Sequence, residues 1–594
     1  MASLLVTAGA NVWTIGLTII AALTASLFFL AVYRICPGLH PLARVPGPFL
    51  QRVSGLPRVW HCQTGNRHIQ ELAAHEKYGS VVRIGPDSLS FSTLSALKTI
   101  HAKGAPVFKG DEFYGLLDGG PEGGRSLQME RQSDDHAARR RVLDRAMPAR
   151  DEAFWAINAL AGELVAVIIR GHGSNVSSVM ASEKKATTTG RIVEVDINQV
   201  ASWYGFDVIT TLSFGRSLDL LRSAEYRWLP RCLQDASVFL YAAGFFRYGL
   251  DAWRWLLGSE WPARLGWHTA VEAQRYADLA DSQVYRRADR LAQEDEEKAS
   301  TTTAAVGEDG EDGEDGEDDE AVDQKEKEKK KTAIKKKSDI FGQLLRANLY
   351  SRIDLRADSS LLIAAGSDAV RFTIASTLFH WTTQRPSCAS LARATAEVRE
   401  SGLTPSTITD AAVLGTSSLR YMRACVDEAM RLNPPKPSSI PREVSSATPT
   451  PTSPMVVDGV AVPAGATVGV CTYALHRDPD IYGPDPHVFR PERWLARPLD
   501  TRMLAAFCPF LKGPRACPGK TVAYLAVQLA LFHLLYAFDV VEAEEGTTAS
   551  NKGEEEDLGG GGGGAGKNKR NDFFFHDWVI GYAQGPHIRL KQRT

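Results

Sequence analysis

The chain has 594 residues, of which 44% are hydrophobic, so it is long enough for a large core or for two domains. Its 68 basic and 70 acidic side chains leave a formal net charge of −2, which argues against nucleic acid as a partner. The eight cysteines are scattered without paired spacing, which excludes a secreted disulfide framework and favours a reducing compartment.

The N-terminal segment is the first predicted element, and it is apolar throughout. No charged side chain occurs from Ala2 to Tyr33, and residues 11–33 are long enough to span a bilayer. Arg34 and Arg44 follow, so the positive-inside rule places the body of the protein in the cytosol. The alternative is a buried core helix. The terminal position favours a membrane anchor, and the lack of a preceding basic segment disfavours a cleaved signal peptide.

The next segment begins with prolines and continues into a helix and a strand. Residues 45–48 read Val-Pro-Gly-Pro, which predicts a stiff hinge because proline restricts the backbone. Residues 69–78 have helical spacing, and residues 80–85 predict a strand that ends in a turn. Residues 107–124 are rich in glycine and aromatic side chains, which predicts a loop.

Two further segments of the N-terminal half leave alternatives open. Residues 134–147 predict a basic helix in which His136 and Arg140 share one face. The other arginines of this helix belong either to a solvated face or to a surface for an acidic redox partner. Residues 240–257 are crowded with aromatic side chains, which predicts either helix core or a substrate-entry wall at a membrane surface.

Two stretches of low complexity interrupt the chain, at residues 294–337 and 542–571. Such compositions cannot bury apolar surface, so we expect unfolded surface insertions. The second contains a GxxxxGK pattern, but Asn568 stands where a phosphate loop needs serine or threonine, which excludes a nucleotide site. Residues 573–590 beyond it predict short strands.

A long apolar helix is predicted at residues 361–381, and polar residues interrupt it. Gly366, Ser367 and Asp368 lie in its middle. A glycine and an acid are unfavourable inside an apolar helix unless they serve a function. We therefore expect these residues to serve a function.

The most informative stretch is residues 510–519, which places Cys517 at the mouth of an apolar helix at residues 520–538. A helix N-terminus and a nearby cation, here Arg515, favour a thiolate. Pro518 suits the first helical position, and the flanking glycines permit tight turns. The stretch predicts a thiolate that ligates iron; the alternative is a buried cysteine in a turn.

This stretch resembles the haem-binding loop of the cytochrome P450 monooxygenases. The pattern Phe-x-x-Gly-x-Arg-x-Cys-x-Gly is matched at Phe510, Gly513, Arg515, Cys517 and Gly519. The resemblance implies a mainly α fold with small β-sheets, consisting of an N-terminal membrane anchor (1–44) and a single haem domain (45–594) that carries both insertions. Residues 424–444 and 468–494 are similar to fungal members related to benzoate para-hydroxylase.

The resemblance also implies roles for the residues around a heme b cofactor. On this resemblance, Cys517 is the axial iron ligand, and the haem propionates are contacted by His136, Arg140 and Arg442. A buried triad that braces the cysteine loop is implied at Glu428, Arg431 and Arg493.

On the oxygen side of the haem, the resemblance implies that this helix opens so that oxygen can bind, and it assigns catalytic roles to Ala365, Gly366 and Asp368. The sequence departs from the family at Ala369, where a threonine hydroxyl is usual, and Thr373 lies one turn further on. Because alanine offers no hydrogen bond, proton delivery must use Thr373, water or a substrate group.

The resemblance implies a monooxygenase that inserts one oxygen atom from O2 into an apolar small molecule, in fungal secondary metabolism or in aromatic or xenobiotic oxidation. The chain has no flavin or iron–sulfur motif, so NADPH-cytochrome P450 reductase becomes the expected electron donor, with cytochrome b5 as a second candidate. The expected location is the endoplasmic reticulum membrane, with one span in contact with lipid. The alternatives are a haem-thiolate enzyme that rearranges, dehydrates or reduces, and a non-catalytic haem-binding membrane protein.

Overall fold

The computed structural model describes most of the chain, with gaps. The described residues are 2–115, 124–148, 150–171, 192–246, 268–306, 339–383, 388–414, 418–445, 454–541 and 573–593. The secondary structure in these ranges is mostly helical with small sheets, which confirms the predicted fold class.

The α-helices in these ranges are α1 (Ala2–Ile35), α2 (Phe49–Val53), α3 (Leu56–Gln63), α4 (Arg67–Tyr78), α5 (Leu94–Ile100), α6 (Asp111–Tyr114), α7 (Ser133–Ala146), α8 (Arg150–Ile169), α9 (Ile197–Phe214), α10 (Leu229–Gly244), α11 (His268–Val306), α12 (Ile340–Arg346), α13 (Arg352–Thr383), α14 (Cys388–Glu400), α15 (Asp410–Val413), α16 (Arg420–Leu432), α17 (Thr472–Leu475), α18 (Pro479–Tyr482), α19 (Thr501–Ala506) and α20 (Lys520–Ala537). Short 3-10 helices cover Pro491–Trp494 and Gly513–Arg515.

The strands are β1 (Val81–Gly85), β2 (Ser88–Phe91), β3 (Val107–Phe108), β4 (Ile192–Asp196), β5 (Arg442–Val444), β6 (Met455–Val457), β7 (Val460–Val462), β8 (Thr467–Val470), β9 (Phe538–Val541), β10 (His576–Trp578), β11 (Ile580–Tyr582) and β12 (His587–Gln592). The largest sheet has the order β1-β2-β8-β5-β3, in which only β2 and β8 are parallel. In a second sheet, β12 lies between β4 and β9. β6 and β7 form one hairpin, and β10 and β11 form another.

Helix α1 differs from the other apolar helices in its exposure. The window Gly16–Ile35 has a mean hydropathy of 2.1 with 0% of it buried, whereas the apolar windows of α8, α13 and α20 are 44%, 61% and 67% buried. An isolated apolar helix lacks any packing that would remove its side chains from water. Gly16–Ile35 is therefore the candidate membrane span, and a core helix is excluded there.

Helix α13 runs through the core and packs closely on α9. A Cβ at Gly205 of α9 would lie 2.7 Å from the carbonyl oxygen of Ser367 in α13, and a Cβ at Gly366 would collide with the side chain of Ile209. Glycines on both helices thus permit this approach. Contrary to the expected opening, α13 is continuous, and the hydroxyl of Ser367 finds its partner within the helix, since it donates to the carbonyl of Ile363 at 2.8 Å.

The α9–α13 contact gives a first prediction, that Gly205→Ala destabilises the protein. The new methyl group would meet a backbone oxygen, which cannot rotate away, so we expect a loss of about 1–3 kcal/mol. The matched control is Gly162→Ala in α8, where the nearest atom is 3.8 Å from the added Cβ. Because alanine is the better helix former, this control should be neutral or gain up to about 1 kcal/mol. Denaturant unfolding of both variants measures the contrast, and equal effects would contradict it.

The first predicted insertion begins later than its composition suggests. Helix α11 continues past Glu294 to Val306, and Arg287 bonds to Glu294 at 3.1 Å. A buried apolar row at Leu279, Val284 and Leu291 establishes the helix, which then continues beyond this row to Val306. The prediction of an unfolded segment from residue 294 is therefore wrong up to Val306. Residues 307–337, the second insertion and parts of two predicted segments (116–123 and 247–257) lie outside the described residues.

Candidate active site

The cysteine loop folds back on itself before α20 begins. The amide of Cys517 donates to the carbonyl of Phe510 at 2.9 Å, and the amide of Ala516 donates to that of Gly513 at 3.0 Å. Gly513 has a φ of +74°, a backbone conformation that residues with a side chain rarely adopt. A Cβ at this position would also collide with the carbonyl oxygen of His101. Gly519 caps α20, so Pro518 precedes the cap and does not occupy the first helical position.

Cys517 is distinguished by its access to a cavity. Of the seven cysteines that the structure describes, it is the only exposed one, and it lines a cavity of about 310 Å³. Desolvation by the surrounding protein raises the pKa of the Cys517 thiol, although the Gly519 amide, Lys436 and Arg140 act in the opposite direction. A bound metal ion deprotonates a coordinating thiol directly.

The cavity is lined by both apolar and basic side chains. Its apolar side chains include Phe113, Ile209, Phe245, Leu361, Leu362, Val579 and Ile580. The predicted residues that line it are Phe510, Arg515, Cys517, Gly519, His136, Arg140, Arg442, Ala365 and Gly366. Gly513 and Asp368 are absent from the lining. The structure thus gathers most of the predicted site around one space.

The predicted basic residues are held by backbone oxygens and a phenol. Arg140 donates to the carbonyl of Ala516 at 2.6 Å, and Arg515 donates to that of Glu130 at 2.8 Å. Arg442 donates to the hydroxyl of Tyr114 at 2.8 Å. These bonds keep the three guanidinium groups at the cavity wall, where Arg140 is also paired with the Asp144 carboxylate at 2.7 Å.

His136 also lines the cavity, but it carries no charge there. Burial, followed by the neighbouring Arg515 and Lys109, lowers the pKa of His136 to about 3. The imidazole is therefore neutral at physiological pH, so it can offer a neutral N–H to an anion but not an ionic contact.

The predicted triad is present and fully buried. Arg431 donates twice to the Glu428 carboxylate at 2.8 Å, and Arg493 Nε donates to it at 2.9 Å. The indole of Trp494 adds a bond at 2.9 Å. Burial opposes ionisation of Glu428, but the two arginines outweigh it and lower its pKa. The triad is thus a satisfied buried ion cluster.

A histidine connects this triad to the segment that enters the cysteine loop. His476 Nδ1 lies 3.1 Å from the carbonyl of Arg431, and its Nε2 accepts from the amide of Cys508 at 3.0 Å. Burial and the adjacent Arg431 lower the pKa of His476 to about 3. A neutral ring that donates through Nδ1 and accepts through Nε2 satisfies both bonds. Sequence reasoning did not identify this link.

Helix α13 presents small residues to the cavity, whereas the carboxylate of its Asp368 does not line the cavity. Ala365, Gly366 and Ala369 line the cavity, whereas the Asp368 carboxylate lies 3.3 Å from Arg371 Nε. Arg371 also donates to the amide oxygen of Asn198 at 2.7 Å. The physical reason is the helical period, which rotates position 368 away from the face shared by 365, 366 and 369.

Comparisons with known proteins agree with this geometry. The family model described as Cytochrome P450 matches residues 317–558, which include the triad and the cysteine loop. Similar proteins include cytochrome P450 monooxygenase fscF of Fusarium equiseti, 29% identical over 95% of this chain and 94% of its own length. Another is monooxygenase AKT7 of Alternaria alternata, 27% identical over 97% of both chains. Monooxygenase poxM of Penicillium oxalicum is 27% identical over 86% of both.

The chain belongs to the cytochrome P450 family. Family membership and the named relatives make it a haem-thiolate monooxygenase of fungal type, supplied with electrons by a redox partner. This conclusion confirms the family, fold, cofactor and enzyme class expected from the sequence.

The cavity of this P450 fits a haem by the chemistry of its lining. It offers a thiol that faces open space, which an iron can ligate, and three guanidinium groups for the carboxylates of the propionates. Ala365, Gly366 and Ala369 contribute only small side chains to the lining where α13 meets the cavity. The chemistry of the lining thus suits a haem together with an apolar molecule.

Two lysines of the cavity were missed by sequence reasoning. Lys109 lies after β3, where its ammonium contacts the carbonyl of Gln128, and Lys436 lies on the turn between α16 and β5. Burial lowers the pKa of both side chains. The available signal was local: each is a single cation in a short segment that contains apolar residues and proline.

Proposed function

We propose that this P450 binds heme b through Cys517 and inserts one atom of O2 into a largely apolar small molecule. The single observation that carries the proposal is the position of Cys517, an exposed sulfur at the cavity wall and at the entrance to a buried apolar helix. When bound, the haem supplies the activation of O2 and the oxidising power for insertion.

The surrounding residues hold the cofactor and exclude water. The guanidinium groups of Arg140, Arg442 and Arg515 pair with the haem propionates, and neutral His136 adds an N–H donor. Phe510 and Gly519 shape the loop around the sulfur, while Gly513 allows its turn against His101. The apolar wall orients the substrate by contact, which favours oxidation of a hydrophobic molecule in secondary metabolism or of an aromatic or xenobiotic compound.

Asp368 is the proposed proton-relay residue, with Ala365 and Gly366 forming the adjacent wall. Because its carboxylate is paired with Arg371, it must rotate away from that partner to reach the cavity. Burial raises the pKa of Asp368 and Arg371 opposes this, so release from Arg371 favours the protonated acid. Access of Asp368 to the cavity thus requires the loss of its contact with Arg371.

Partners and location follow from the anchor. Arg34 lies at the C-terminal end of the span Gly16–Ile35 and Arg44 follows it, which supports a single pass with the haem domain in the cytosol, at the endoplasmic reticulum membrane. NADPH-cytochrome P450 reductase is the proposed donor, and cytochrome b5 is a second one. A single haem domain over residues 45–594 is supported by β12, which pairs with β4 and β9 and so joins distant parts of the chain.

The test is expression of the full chain in membranes together with the reductase. We expect a reduced, carbon monoxide-bound spectrum typical of thiolate-ligated haem, and an oxygenated product that requires both NADPH and O2. Mass analysis of the product after supply of labelled O2 identifies the inserted atom. Product formation without reductase and O2 would contradict monooxygenation and favour rearrangement or dehydration.

A further prediction concerns Ala369, which lines the cavity without a hydroxyl. The nearest substitute, Thr373, donates to the carbonyl of Ala369 at 2.7 Å and is therefore engaged within the helix. An Ala369→Thr variant should deliver protons more reliably, so we expect it to release less hydrogen peroxide per NADPH consumed, by about twofold to tenfold. Ala369→Val is the matched control because it has the same shape without the hydroxyl. A reduction that valine reproduces would contradict the role of the hydroxyl.

A further inference from the structure

Lys436 presents an unpaired ammonium group to the cavity. It lies on the turn between α16 and β5 and lines the same space as Cys517 and Arg442. Within the part of the chain that the structure describes, Lys436 makes no hydrogen bond or ion pair. A half-buried cation without a partner is unfavourable, which suggests that a ligand supplies the missing anion.

The charges around the cavity leave Lys436 without a protein counterion. Its main favourable neighbour is the sulfur of Cys517, which iron occupies when the haem is bound. The second is the Asp577 carboxylate, which already accepts hydrogen bonds from the hydroxyls of Tyr241, at 3.1 Å, and of Ser438, at 2.5 Å. No ion pair joins Asp577 to Lys436 within the described residues.

The haem itself does not require this lysine. Its two propionates can be held by Arg442 and Arg515, which already stand at the wall, with Arg140 and Lys109 beside them. Arg140 is paired with Asp144 at 2.7 Å, and Lys109 contacts the carbonyl of Gln128. Among the described residues that line the cavity, Lys436 is therefore a cation for which neither the protein nor the cofactor offers a partner.

We propose that Lys436 binds a carboxylate on the substrate, whose remaining body is apolar. The inference rests on the proposed function of the cavity and specifies its substrate class. An ammonium–carboxylate hydrogen bond is strong when water is excluded, whereas Phe113, Ile209 and Val579 provide only apolar contact. The substrate of this P450 is thus an amphipathic acid, held by its anionic end and its hydrophobic body.

The test uses ligands that bind iron whatever the natural substrate is. An ω-imidazolyl alkanoic acid and the alcohol of the same chain length, each in a short and a long form, are titrated into the haem-loaded full chain. The haem absorbance reports the dissociation constant. We expect the acid of at least one length to bind about tenfold more tightly than its alcohol, equivalent to about 1.4 kcal/mol.

The variants decide whether Lys436 is responsible. Lys436→Gln should abolish the preference for the acid, Lys436→Arg should retain it, and Lys98→Gln, at an exposed position of α5, should leave it unchanged. Equal binding of acid and alcohol at both lengths, or a preference that survives Lys436→Gln, overturns the proposal. Loss of haem from Lys436→Gln also overturns it, because the lysine would then be a propionate ligand. A parent protein without the thiolate spectrum overturns the proposed function, and this inference with it.

Discussion

Cys517→Ser is expected to abolish both the carbon monoxide-bound thiolate spectrum and oxygenation of the substrate. A serine hydroxyl does not ionise under these conditions and does not push electron density onto iron as a thiolate does. We expect activity to fall on the order of a thousandfold or more, which corresponds to about 4 kcal/mol in the activation free energy. Spectra and product yields from membranes with equal protein content measure both losses.

The fold should tolerate this substitution, which separates chemistry from stability. Cys517 is exposed to the cavity and makes its loop contact through the backbone amide, which serine retains. Cys36→Ser is the matched control because Cys36 is the other cysteine that the structure describes as not fully buried, and it lies outside the cavity lining. A thiolate spectrum that persists in Cys517→Ser would falsify the assignment and move it to another cysteine.

Glu428→Gln is expected to be the most destabilising of the conservative substitutions considered. The carboxylate is fully buried and is shared by Arg431 and Arg493, so its loss leaves two guanidinium groups without a counterion. Removal of one partner from a buried ion pair costs about 3–5 kcal/mol. Because His476 links Arg431 to Cys508, we also expect weaker haem retention. Denaturant unfolding and the haem-to-protein absorbance ratio measure the two effects.

The surface pair Glu163–Arg222 provides the control for this prediction. Glu163→Gln removes a carboxylate with a comparable bond of 2.7 Å, but both side chains are solvated, so the loss should be about 0.2–1 kcal/mol. The pKa of Glu428 is lowered in the folded protein, so its stabilisation is present above the ordinary pKa of a glutamate and is lost as pH falls through the folded value. Parent protein should therefore lose more stability on acidification than Glu428→Gln does. Equal losses in both proteins would contradict the role of the triad.

Several features followed from local sequence because the physical cause is itself local. The turn at Gly513 depends on a backbone conformation that glycine tolerates, and the contact of Glu428 with Arg431 depends on their spacing within one helix. The apolar composition of residues 16–35 determines a helix that can span a membrane. These are properties of neighbouring residues, and the sequence records neighbours directly.

The tertiary structure decided which of the predicted residues share a space and in which protonation state. Desolvation lowers the pKa of His136 to about 3 and raises the pKa of the Cys517 thiol. The tertiary structure also brings Lys109 and Lys436, which are far apart in sequence, to the same cavity. Orientation and desolvation depend on contacts between distant segments, so no local pattern specifies them. The sequence by itself determined the family and the cysteine loop; only the folded chain decided the charges that surround it.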